Sequence, residues 1–169
     1  MNLNWFFLTL GYSGMAKKAP GTVGSFVAML LAIPIIITMD NFTLFLAAIV
    51  ITLIGIDAVN KYEANGGEHD NKHIVIDELA GMWVALSIAP AYAVENIWEL
   101  KNGFLIQTLL SFILFRYFDI SKPSIIGRLD REAKGGIGVM LDDVVAGFAA
   151  GISSAVLWQG WLQLKLLIG

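Results

Sequence analysis

The sequence predicts an all-α helical bundle, integral to a membrane, with about five apolar helices in a single domain over residues 1–169. The chain is 57% hydrophobic and only 15% charged, and its mean hydropathy of +0.71 is far above that of an ordinary soluble domain. Charge breaks it into five uncharged stretches. Their Ile, Val and Leu runs are too long for ordinary strands and lack turn signals at strand spacing.

Met1 to Leu10 is apolar, but no basic residue precedes it and Lys17 and Lys18 follow, which does not match a secretory signal. Ala19 to Met39 runs 21 residues and carries Pro34; Asn41 to Ile56 runs 16. Leu79 to Val94 runs 16 and carries Pro90, Asn102 to Phe115 runs 14, and Val144 to Leu164 runs 21. A straight spanning helix needs ~20 residues. The first and last stretches qualify by length. The middle three either span with buried or interfacial ends, or form core helices of a soluble bundle. Asn65-Gly66-Gly67 reads as a loop, Lys122-Pro123 as a helix stop, and Gly135-Gly136-Ile137-Gly138 as a flexible entry to the last helix.

The charges favour spans. With Lys17 and Lys18 in the cytoplasm and all five stretches crossing, nine of the eleven basic residues fall on the cytoplasmic side. Only Lys101 and Lys165 fall opposite. Eleven of the fourteen acids sort the same way, leaving Asp40, Glu95 and Glu99 outside. A net charge of −3 gives no reason to expect nucleic acid as a partner. The absence of cysteine excludes disulfides, thiolate zinc sites and a cysteine nucleophile.

Potential chemistry gathers at the ends of the apolar stretches. Asp142-Asp143 stands where the last helix is expected to start. A single aspartate suffices for capping, so a glycine-rich approach to two points to metal or catalytic work as well. Asp77-Glu78 stands in the same relation to the third stretch, and both capping and site readings apply. Arg116 and Asp119 share a helix face, either as a local ion pair or as functional ionisable groups at a membrane helix end. Three carboxylate clusters from three helix ends make a Mg²⁺ site of hard oxygen ligands, with Asp77, Glu78, Asp119, Asp142 and Asp143 as candidates. Lys122, Arg128 and Lys134 either neutralise phosphate oxygens or set topology and attract anionic lipid. Lys18-Ala19-Pro20-Gly21-Thr22-Val23-Gly24-Ser25 is a second phosphate-friendly element, with Pro near a helix start and the Thr22 and Ser25 hydroxyls. Its glycine and lysine order is not that of a Walker A loop. His69 and His73 lie in a polar loop without an HExxH pattern. The five tryptophans read as interfacial or packing residues.

Four blocks carry a resemblance: Lys18 to Ser25, Ile74 to Trp83, Phe115 to Pro123, and Gly135 to Gly147 through Met140-Leu141-Asp142-Asp143. In their order and spread the chain resembles the bacterial phosphatidylglycerophosphatase A family. Ser121 stands where the family has a larger aromatic. The resemblance implies a Mg²⁺-dependent lipid phosphatase of the bacterial inner membrane. It would remove the terminal phosphate of phosphatidylglycerophosphate in phospholipid biosynthesis, with its active site facing the cytoplasm. It implies Asp77, Asp119, Asp142 and Asp143 in catalysis, and Lys18, Thr22, Ser25, Arg116, Lys122, Arg128 and Lys134 on the substrate phosphate. Family relatives include a soluble all-helical form with a central helix surrounded by others, which is the alternative fold. Direct attack by water is expected, because no DxDx[TV] nucleophile pattern is present.

Other lipid chemistries fit worse. The histidine-dependent lipid phosphatases need an SGH-type motif, and the CDP-alcohol transferases need DxxDG spacing. A small transporter or channel subunit using carboxylates for cations remains a rival, as does a non-catalytic protein that binds anionic lipid. Transport favours ionisable groups near the middle of spans; here they sit at helix ends on one side.

Overall fold

The computed structural model describes residues 3–88, 103–123 and 134–168. The chain forms α1 (Leu3–Leu8), a 3₁₀ turn (Ser13–Met15), α2 (Pro20–Thr38), α3 (Asn41–Ala64), α4 (Ile76–Ile88), α5 (Phe104–Ser121) and α6 (Gly135–Ile168). No strand occurs among the described residues.

Helix α4 is the axis of the bundle. Every residue from Glu78 to Leu86 is buried, as expected of a helix that is apolar all round. Helices α2, α3, α5 and α6 pack around it. Those four turn apolar side chains outward, among them Phe26, Leu30, Leu53, Ile113, Ile152 and Val156. The same four are long and apolar enough to cross a membrane. The third apolar stretch therefore differs from the other four: it supplies the 13-residue α4, described as far as Ile88, and is surrounded by protein instead of facing outward. A central helix and a membrane-facing exterior, expected as alternatives, occur together.

Glycine sets the closest approach. A Cβ on Gly81 would collide with the Asp143 carbonyl oxygen and the Phe115 ring, and one on Gly147 with the Gly81 carbonyl. Backbone thus meets backbone between α4 and α6, the small-residue packing that joins helices where lipid is the solvent. At one end of the bundle the Asn41 amide donates to the carbonyls of Leu86 and Ser87, both at 3.4 Å. At the other end α1 is tied down. Asn4 donates to the Ala58 carbonyl (3.1 Å), the Val75 N–H to that of Leu8 (2.9 Å), and Trp5 stacks on Tyr62.

The start of α6 corrects one expectation. Gly135 to Gly138 are not a flexible entry but the first turn of the helix. Gly135 takes φ +64°, and the Gly136 N–H donates to Asn60 Oδ1 at 2.7 Å. A side chain of α3 thus caps α6, and glycine lets the two backbones touch: a Cβ at 136 would strike the Ile56 carbonyl. Asp142 and Asp143 consequently lie well inside α6. Capping does not account for them.

Candidate active site

The first turn of α2, the loop before α4, the first turn of α4, the last turns of α5 and the interior of α6 converge at the end that carries α1. They enclose a cavity of about 360 Å³. Six carboxylates line it (Asp70, Asp77, Glu78, Asp119, Asp142 and Asp143), and so do three cations (Lys72, Arg116 and Lys122).

Asp77, Glu78 and Asp143 each offer a carboxylate oxygen, and the three lie within 4.8 Å of one another. Glu78 is only 9% exposed, and its Oε2 is buried without a hydrogen-bond partner among the described residues. Gly21 makes room for its other oxygen, since a Cβ there would strike Glu78 Oε1. Burial first, then the charges of Asp143 and Asp119, push the Glu78 carboxyl up to about 8. Burial, with the neighbouring Glu78, also raises Asp77 well above the usual carboxylate range. Such a set of oxygens is costly to ionise together and is relieved by a cation.

The other two predicted ligands have different partners. Arg116 Nη1 lies 2.5 Å from Asp119 Oδ2, 3.2 Å from Ser25 Oγ and 4.0 Å from Glu78 Oε1. Lys122 Nζ lies 2.8 Å from Asp142 Oδ2. Lys122 closes α5 in the left-handed region, at φ +41°, ahead of Pro123. Right-handed helix is disfavoured before proline, so the helix stop read from the sequence is also what carries the lysine to the cavity.

The α2 element behaves as a helix start aimed at this space. Pro20 opens the helix without a side-chain cap, so the amides of Gly21 and Thr22 have no intrahelical acceptor. Ala19, Pro20, Gly21 and Thr22 all line the cavity. Ser25 does not. It is fully buried, donates to the Gly21 carbonyl (2.8 Å) and accepts from Arg116, so it supports the arginine from behind. Lys18 and Lys134 are exposed and lie outside the lining. Arg128 lies outside the described residues. His69 and His73 take separate partners, Glu63 Oε1 (2.6 Å) and the Gly14 carbonyl (2.7 Å).

Sequence reasoning missed Asp70, Asn71 and Lys72. They occur in a polar loop whose only signal was its position just before the Ile74 block. Asp70 takes φ +51°, uncommon for a non-glycine residue and found where the fold imposes it.

The raised Glu78 carboxyl gives a signed expectation. A carboxyl that holds its proton more tightly folded than unfolded makes the native state lose stability as pH rises through that window. Melting in EDTA should therefore show stability falling from about pH 4.5, the ordinary glutamate value, to about 8. Glu78→Gln should make the fall shallower, with Asp77 still contributing to it. A wild-type profile that rises across this window would contradict the burial assigned here.

The fold and the cavity define a helical membrane protein with a cluster of carboxylates and cations at one end of its bundle. Comparison with known proteins makes this specific. The family model for phosphatidylglycerophosphatase A matches residues 6–158. The chain is 36% identical to the phosphatidylglycerophosphatase A of Escherichia coli K12, covering 90% of this chain and 83% of the relative. It is 34% identical to that of Haemophilus influenzae, covering 85% and 82%. It is 38% identical to a Bacteroides thetaiotaomicron protein named "Putative phosphatidylinositol-3-phosphatase", covering 85% and 86%. No solved structure matches. The chain belongs to the phosphatidylglycerophosphatase A family and is an enzyme of the phosphatase class.

Proposed function

We propose that this enzyme hydrolyses the terminal phosphate of phosphatidylglycerophosphate, giving phosphatidylglycerol and inorganic phosphate in phospholipid biosynthesis. The observation that carries the reading is the cavity itself. Three clustered carboxylates and two ion-paired ones face a helix start at one end of an apolar bundle. A lipid head group would reach it from the bilayer surface, its acyl chains lying in lipid against the outer helices.

The donor set fits Mg²⁺: all oxygens, with the buried Glu78 Oε2 lacking any other partner among the described residues. Asp77, Glu78 and Asp143 would hold it, and it would supply Lewis-acid polarisation of the phosphoryl group and a more acidic water. One carboxylate of the Asp119 and Asp142 pair accepts one proton of the attacking water and returns it to the glycerol oxygen as that oxygen departs. The water oxygen forms the new bond to phosphorus, and the bond to the glycerol oxygen breaks. Arg116 and Lys122, each already beside a carboxylate, neutralise charge on the transferring oxygens. The gathering of basic residues at this end supports a cytoplasm-facing site in the bacterial inner membrane.

Among the described residues, backbone contacts between α4 and α6 close the space between those two helices beyond Asp143, which favours interfacial chemistry over transport. The test is phosphate release from phosphatidylglycerophosphate by purified protein in detergent. Release with Mg²⁺ and its loss in excess EDTA are expected. Folded protein that releases none under either condition would overturn the reading.

A further inference from the structure

The cavity holds an imbalance that the monoester chemistry does not use. Its lining carries six carboxylates against three cations. Arg116 and Lys122 are engaged with Asp119 and Asp142. Lys72 has no carboxylate within ion-pair distance among the described residues, and it is exposed at the mouth. Yet the loop that carries it is fixed on both sides. The Ile74 N–H donates to the Asn71 carbonyl (2.8 Å) and the His73 N–H to Asn71 Oδ1 (3.0 Å). The His73 ring bonds to the Gly14 carbonyl, and the Asn71 amide donates to the Tyr62 hydroxyl at 3.3 Å. A flexible ammonium on an anchored loop is thus presented at the rim of a cavity of net negative formal charge.

Resting on the reading above, we infer that Lys72 forms a second anion subsite that takes the phosphodiester of the lipid while the carboxylate cluster handles the terminal monoester. The two phosphates of such a head group are a glycerol apart, and they differ in what they need. The monoester carries up to two charges and must meet the metal and Arg116. The diester carries one, with no need of bidentate geometry, which suits the point charge of a lysine. A cation at the mouth also attracts an approaching anionic lipid toward the cavity. Lys72 is therefore a specificity residue for lipids with a diester next to the scissile monoester.

The test is steady-state hydrolysis of phosphatidylglycerophosphate in mixed micelles by wild type, Lys72→Ala and Lys72→Arg. Competitive inhibition is measured with phosphatidylglycerol, which has only the diester, and with inorganic phosphate, which stands in for the monoester. Lys72→Ala should raise KM about tenfold, the loss of one charge-assisted contact, with kcat within about twofold. The inhibition constant for phosphatidylglycerol should rise in parallel, that for inorganic phosphate should stay, and Lys72→Arg should restore KM. An unchanged KM overturns the inference, as does a fall in kcat alone or a parallel shift for both inhibitors. Turnover by wild type with no Lys72 effect defeats this inference alone. Absence of wild-type turnover defeats the phosphatase reading and the inference with it.

Discussion

Asp119→Asn, Asp142→Asn and Asp143→Asn should each lower phosphate release at least about 100-fold, the scale of losing one group that stabilises charge in the transition state. Each swap keeps side-chain size. Asp143→Asn removes charge from the acidic cluster, so its melting temperature should stay near wild type, whereas Asp119→Asn and Asp142→Asn remove a carboxylate opposite Arg116 and Lys122 and should melt lower while still eluting as folded protein. The three should differ in rescue. Asp143 belongs to the oxygen trio with Asp77 and Glu78, so its loss should raise the Mg²⁺ concentration needed, with partial recovery at high Mg²⁺. Asp142 faces Lys122 and Asp119 faces Arg116, so added Mg²⁺ should not restore those variants. Asp40→Asn is the control. Asp40 caps α3 by accepting from the Thr43 N–H (2.6 Å), away from the cavity, and asparagine caps equally well. Near-normal turnover in both Asp119→Asn and Asp142→Asn would remove their assigned roles.

Gly81→Ala and Gly147→Ala should each destabilise the protein by about 3 kcal/mol, the upper range for forcing a methyl into a packed interior. The methyl has nowhere to go. At 81 it meets the Asp143 carbonyl and the Phe115 ring, and at 147 the Gly81 carbonyl. Backbone cannot swing aside as a flexible side chain can, so α4 and α6 must separate. That would also displace Asp143 from Asp77 and Glu78, and activity should fall along with stability. Gly160→Ala gives the contrast. It lies in the same helix with open space around it, so alanine's better helix propensity should leave it neutral or slightly stabilised. Melting of detergent-purified variants checks all three. A Gly81→Ala protein that melts with wild type would mean that α4 and α6 are not in backbone contact.

Much of this was legible along the chain because membranes and helix ends leave local marks. Apolar length marked α2 and α6, and the sorting of charge to one side, not length, favoured α3 and α5 as spans. Pro123 marked the end of α5 and Pro20 the start of α2, because proline fixes φ and removes a donor. The candidate site was legible as three acidic clusters, although Asp142-Asp143 lies inside its helix and not at the helix start where the sequence placed it. Their division of labour was not, because a ligand differs from an ion-paired carboxylate by what stands opposite it. Lys122 meets Asp142 across 20 positions, and Arg116 meets Ser25 across 91. The loop at Asp70 to Lys72 was read as plain polar sequence, since nothing in its spacing places it at the cavity mouth.

By itself the sequence determined the all-helical class, the apolar surface, the helix stops and the end of the bundle where the charge collects. Each follows from hydrophobic run length, proline geometry or the cost of burying charge, and these act within a few residues. Only the tertiary structure decided which apolar stretch is the axis, because an all-round apolar helix looks the same in lipid and in protein. It also decided that α6 begins at Gly135 under a cap from Asn60, which places Asp142 and Asp143 inside the helix, facing the cavity. A side chain 75 residues upstream of Gly135 sets that boundary, and no local rule of the sequence reaches so far.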